Sequence, residues 1–116
     1  MSLYFRNSYS SPVWVTVMWY HPGCPDGGDW EKAGWWHFAP GESGPTIGGD
    51  IGDNNQYVCF NAQADDGRFW AGEYVRDAPD RAFDWCEWTG STDSNRIGYR
   101  LIDIGGEDDP TINLVA

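Results

Sequence analysis

Nowhere in this chain do apolar residues recur at the 3.6-residue spacing of a helix for long enough to build one, and that constrains the fold more than any other feature. What recurs instead is short apolar or alternating runs, each closed by Gly, Pro, Asn or Asp. The fifteen glycines and seven prolines are spread along all 116 residues, so they punctuate segments and do not form one low-complexity block. A chain written this way is expected to be all-β.

Val13 to Tyr20 is the plainest strand. Val13, Val15, Val17 and Trp19 point one way, and Trp14, Thr16, Met18 and Tyr20 the other. Both faces are largely apolar, which suits a central strand or one lining a binding surface. Trp30 to Phe38 is a second strand. Strict alternation puts Trp30, Lys32, Trp36 and Phe38 on one side and Glu31, Ala33, Trp35 and His37 on the other. Gly34 inside the run signals a bulge or close backbone approach that would change this register. Gln56 to Ala64 alternates again, with Val58, Phe60 and Ala62 opposite Tyr57, Cys59 and Asn61.

Shorter strands are expected at Leu3 to Asn7, Thr46-Ile47, Arg68 to Gly72, Gly98 to Ile104 and Thr111 to Val115. His21 to Asp29 is dense in turn residues and reads as a loop. Ala39-Pro40-Gly41-Glu42 has the residue order of a type II turn, and Asp65-Asp66-Gly67 that of a hairpin. Ala78 to Trp85 reads as able to form one short helical turn after Pro79. About eight short strands without an internal repeat imply one domain over 1–116, an antiparallel β-sandwich with a small barrel as the alternative. The antiparallel pairing is expected because the connections are short.

Eighteen acids against seven bases give a net charge of −11. Such a surface repels phosphate backbones and anionic lipid, which argues against nucleic-acid partners and favours cations, basic protein surfaces or neutral ligands. No apolar run approaches the roughly 20 residues of a membrane span. The first residues show no basic segment followed by an apolar one, so no signal peptide is expected. The location is then secreted or cell-surface if a leader has been removed, and cytoplasmic otherwise.

Cys24, Cys59 and Cys86 allow three choices of one bridge with a thiol left over, or three reduced and buried thiols. No Cys-x-x-Cys pair is present, and His21 with Cys24 supplies only two soft ligands where a tight zinc site takes at least three. The acids lie in glycine-containing loops that suit calcium's oxygen coordination. Asp50 and Asp53 are the best candidates, although Asp, Asn and Gly are also ordinary turn formers and no EF-hand spacing occurs. A calcium ion is thus an option, and no cofactor is required. Gly41-Glu42-Ser43-Gly44 lacks the nucleophile-elbow register and no phosphate-cradling loop is present, so no catalytic residue is expected.

Several motifs spread over the chain carry a family resemblance: Leu3 to Asn7, the Gly-Trp-Trp-x-x-x-Pro-Gly-Glu block from Gly34 to Glu42, and Gly48-Gly49-Asp50. Trp70 to Tyr74, Phe83 to Cys86 and Gly98 to Gly105 extend it. In these the chain resembles a bacterial family catalogued as a domain of unknown function (number 1036 in that series). The resemblance spans nearly the whole chain and implies the domain boundary, but it carries no activity with it. One departure is Ser43, where the resemblance implies a cysteine after Pro-Gly-Glu.

Eight tryptophans are more than one thin core comfortably holds, so some are expected outside. Flat amphipathic rings on a β face suit stacking against sugars, with indole N–H groups free for hydroxyls. Trp14, Trp35 and Trp70 are the expected stacking residues, His37 a hydrogen-bonding neighbour, and Asp50 with Asp53 the metal holders. The functional expectation is a non-catalytic, lectin-like binding module for carbohydrate or a similar neutral ligand. The rival is an acidic interaction module, an inhibitor or assembly component, docking on a basic protein surface.

Overall fold

The computed structural model describes residues 2–48, 57–104 and 109–115. Among these there are ten strands and no helix: β1 Ser2–Asn7, β2 Val13–Tyr20, β3 Trp30–Phe38, β4 Ser43–Gly48, β5 Tyr57–Ala64, β6 Phe69–Trp70, β7 Tyr74–Pro79, β8 Phe83–Cys86, β9 Ser94–Asp103 and β10 Thr111–Leu114. Seven strands form one large antiparallel sheet in the order β7-β9-β5-β2-β3-β8, with β6 pairing on β5. The other three form a small sheet, β10-β1-β4. The architecture is all-β, part sandwich and part nearly closed barrel.

The two faces of β2 explain this mixed form. Val13, Val15 and Val17 are fully buried beneath the small sheet, among Leu3, Phe5, Ile47, Val58, Phe60 and Leu114. The opposite face of β2 turns into the hollow of the large sheet, which curls around Met18, Cys59, Ala78, Phe83, Ile97 and Tyr99. The edge strands β7 and β8 show no backbone pairing with each other, and side chains span the gap. Lys32 on β3, the only lysine of the chain, donates through Nζ to Asp77 O and, at 2.8 Å, to Thr89 O. Trp35 donates from Nε1 to Pro79 O at 2.8 Å. Lys32 is completely buried, and the loss of water pushes its ammonium down to about 8, less the countering field of Asp77.

The bulge foreseen at Gly34 is present and reorganises β3. Val15 pairs with Trp36 and Thr16 with Gly34, leaving Trp35 as the extra residue beside a cis Gly34–Trp35 peptide. Ahead of the bulge Trp30 and Lys32 face the hollow; beyond it Trp35 does, while Trp36 and Phe38 join the core under the small sheet. Glycine is required at 34 because a Cβ there would stand 2.9 Å from Thr16 Cβ. It is required at 98 because a Cβ would meet Gly72 O at 2.3 Å, where the chain leaving β6 crosses β9.

The type II turn forms with Gly41 at φ +82°, and the Asp65–Gly67 hairpin with Gly67 at +97°. Two expectations fail. Ala78 to Trp85 contains no helical turn: Ala78 and Pro79 end β7, and Phe83 to Trp85 lie in β8. Pairing is not antiparallel throughout, because β1 and β10 run parallel, Tyr4 opposite Thr111. These two strands stand at opposite ends of the sequence, so the short-connection argument never applied to them. None of the described helices could span a membrane, since there are none.

Candidate functional site

The hollow of the large sheet is divided across its middle. Thr16 from β2, Asn61 from β5 and Tyr99 from β9 are buried at one level. Thr16 Oγ1 donates to Ala33 O at 2.8 Å and shares a 2.9 Å hydrogen bond with Tyr99 OH. Asn61 Nδ2 donates to Gly98 O at 2.8 Å, and its Oδ1 accepts from Gln63 Nε2 at 3.2 Å. No buried side-chain polar atom among the described residues lacks a partner. This polar layer leaves a mouth at either end.

The first mouth is a cavity of about 320 Å³ lined by Trp14, Trp35, Gln63, Asp80, Arg81 and Ala82. Trp14 and Gln63 face each other across the β2–β5 pair. Trp35 reaches the same face only because the bulge shifts β3 by one residue. Asp80 and Arg81 come from the turn between β7 and β8, the stretch that had read as helical.

Both indoles are locked. Trp14 Nε1 donates to Asp65 Oδ1 at 3.1 Å, and its ring packs against His37 with centroids 4.5 Å apart. Trp35 is held through Pro79 O and stands edge-on to Phe83. The indole N–H groups, expected to be free for a ligand hydroxyl, are instead spent within the protein. Polar recognition in this mouth falls to Gln63, Asp80 and Arg81. Asp80 Oδ1 accepts from Asn95 at 3.0 Å, and Arg81 Nε donates to Asp93 Oδ2 at 2.9 Å. The Arg81 bond holds the exposed Asp93 carboxyl below its usual range, with Ser91 adding to the effect.

Trp14 and Trp35 thus come together, with His37 as a buttress behind Trp14. Trp70 does not join them. It is 6% exposed in the core under the small sheet, its Nε1 donating to Val115 O at 3.0 Å, so it offers no face for stacking. β6 ends at Trp70, and its side chain turns inward against Tyr9. The proposed metal residues Asp50 and Asp53 lie outside the described residues. Gln63, Asp80 and Arg81 were missed by sequence reasoning; position 63 follows from the alternation of β5, whereas 80 and 81 carry no periodic signal.

The second mouth, about 220 Å³, is lined by Met18, Trp30, Tyr57, Cys59, Tyr74, Arg76, Glu87 and Leu101. Arg76 pairs with the buried Glu87 through Nε and Nη2, at 3.0 and 2.7 Å, and lies over Trp88. Cys59 is the free thiol, and burial pushes it up to about 12.

Cys24 and Cys86 form the disulfide, which ties the β2–β3 loop to the end of β8. Beside it, His21 Nδ1 and Glu31 Oε1 are 2.6 Å apart. Asp84, sharing a hydrogen bond with Glu31, is pushed up to about 7 by lost hydration first and the Glu31 bond and charge next. His21, Cys24 and Glu31 place their ligating atoms within 4.8 Å of one another.

No protein-family model matches the chain, and neither curated proteins nor solved structures provide a match. The site stands on its own residues.

Proposed function

We propose that the first mouth binds a polyhydroxylated neutral ligand of one or two sugar rings, making the protein a non-catalytic, lectin-like module. The observation that supports this most is the convergence of two orientationally locked indoles, Trp14 and Trp35, with Gln63, Asp80 and Arg81 on one cavity. Fixed aromatic faces stack on sugar C–H surfaces with little entropy left to lose, and an acceptor, a donor and an amide at the rim match hydroxyl groups. The volume falls at the low end of small-ligand pockets, about 300–1,000 Å³, which fits a short glycan end. Trp14 supplies the outer platform, being 43% exposed, and His37 holds it upright.

The test is intrinsic tryptophan fluorescence across a glycan panel, with and without calcium. A saturable change with one sugar class is expected, reduced about tenfold or more by Trp14→Ala or Trp35→Ala and unchanged by Phe69→Ala on the surface. A response insensitive to both tryptophan substitutions, or a flat response throughout, overturns the reading.

A further inference from the structure

The loop between β2 and β3, β3 itself and the end of β8 bring four metal-ligating side chains together, away from the aromatic mouth. His21, Cys24 and Glu31 already present their donor atoms within 4.8 Å of one another. Cys86 joins them through its bond to Cys24, and Glu31 is its register partner across the β3–β8 pair. The frame under these donors is built from several independent contacts. His21 N donates to Asp29 O at 2.7 Å, Gly23 N to Asp29 Oδ1 at 3.1 Å, and Cys24 N to Gly28 O at 3.2 Å.

Two sulfurs, an imidazole and a carboxylate are a zinc donor set, too soft for calcium or magnesium. In a tetrahedral zinc site the bond lengths of about 2.0–2.3 Å set donors about 3.3–3.8 Å apart, so His21, Cys24 and Glu31 need to close by only about 1 Å while the two sulfurs, once unbonded, move apart. The Cys24 and Cys86 Cα atoms are 5.9 Å apart, close enough for both thiolates to reach one ion. While the sulfurs are bonded to each other they provide no thiolate. We propose that reduction of the Cys24–Cys86 bond converts this cluster into a zinc site with His21, Cys24, Glu31 and Cys86 as ligands.

The chemistry balances with a dithiol as reductant. Its two electrons break the S–S bond, the two sulfurs take up two protons as thiols, and the dithiol leaves as its own disulfide. Zinc then displaces both thiol protons. Metal and disulfide exclude each other, so the same four residues form a covalent clamp in an oxidising compartment and a metal clamp in a reducing one. The surroundings suit the reduced form. Asp26 N already donates to Cys86 Sγ at 3.4 Å, a contact that strengthens toward a thiolate. His21, with a side chain 44% exposed, leaves a path for the ion, while both sulfurs stay shielded.

Cobalt(II), the spectroscopic stand-in for zinc, tests this by titration without oxygen into phosphine-reduced and into oxidised protein. Both carry Cys59→Ala, so that only this pair supplies thiolates. The reduced protein is expected to take up one equivalent, with tetrahedral d–d bands and charge transfer from two thiolates, and to release the cobalt to zinc. The oxidised protein is expected to show neither. His21→Ala and Glu31→Gln should each weaken binding by more than about tenfold. Absence of a tetrahedral spectrum after reduction overturns the proposal. So does undiminished affinity in both variants, which would mean that two cysteines on a loosened loop bind alone. Should reduction unfold the chain, recovery of its circular dichroism on adding zinc supports the site, and a chain that stays unfolded with zinc refutes it. Should Cys59→Ala fail to fold, the natural protein is titrated instead, and charge-transfer intensity from three thiolates overturns the assignment.

Discussion

The two faces of β2 look into interiors of different kinds. Under the small sheet, Val13, Val15 and Val17 meet Leu3, Phe5, Phe60 and Leu114 in a core held mainly by area and shape, with Phe5 edge-on to Phe60 at 5.4 Å. Within the curled sheet, one strand-width away, Met18, Phe83 and Ile97 still pack as apolar neighbours, but Thr16, Asn61, Tyr99 and the buried Lys32 set a hydrogen-bonded polar layer among them. The dry core assembles two sheets. The polar-lined hollow sets the curl of one sheet and keeps two mouths open. Close packing cannot leave such openings; hydrogen bonds aimed at fixed points can, because they hold elements at a distance without filling the space between.

Substitutions in the two interiors should therefore fail for different reasons. The largest loss is expected in the dry core: Phe60→Ala should cost about 3–5 kcal/mol in urea unfolding, transfer and cavity together. A cost below that of any hollow substitution would invert the comparison.

Lys32→Met comes next, at about 2 kcal/mol, since it strips the donor from Asp77 O and Thr89 O and unpins β7 from β3 and from the loop after β8. Amide exchange should accelerate in β7 and β8 more than in β1 or β10. A stabilised variant would mean that the desolvation of the ammonium outweighs its bonds.

Thr16→Val keeps the shape and removes the hydroxyl between Ala33 O and Tyr99 OH, for about 1 kcal/mol by the same measurement. An unchanged stability would show that the polar layer is dispensable for the fold.

The smallest effect is a slope. Burial raises the Cys59 thiol from 9.0 to about 12, so between those values the folded chain keeps a proton that the unfolded chain releases. Stability gained from this group is therefore lost as pH rises across that window, and Cys59→Ala should flatten the difference in unfolding free energy between pH 9 and 10. Equal slopes in both proteins would place the thiol in contact with water.

Much of the fold was legible from local pattern. β2 and β3 begin and end where alternation and turn residues put them, and Gly34, Gly41 and Gly67 each do what their neighbours imply. Two of the residues that line the first mouth, Trp14 and Trp35, were legible too. Trp70 was not distinguishable from them, because an indole on an alternating strand looks the same whether the face it points to becomes a mouth or a dry core. Asp80 and Arg81 were hidden in a segment whose Pro and Ala suggested a helical turn. Its extended form comes from β9, which pairs with β7 from Ser94 to Tyr99, and from β3, which pairs with β8.

The sequence by itself determined the strand class, the main turns and the two-faced character of β2, since all of these are set within a few residues by side-chain period and backbone φ preference. Tertiary structure alone decided which face closes and which stays open, which two cysteines meet, and that the first and last strands run parallel. Those outcomes depend on the curl of a seven-stranded sheet and on one bulged residue, and both arise from pairings between segments tens of residues apart.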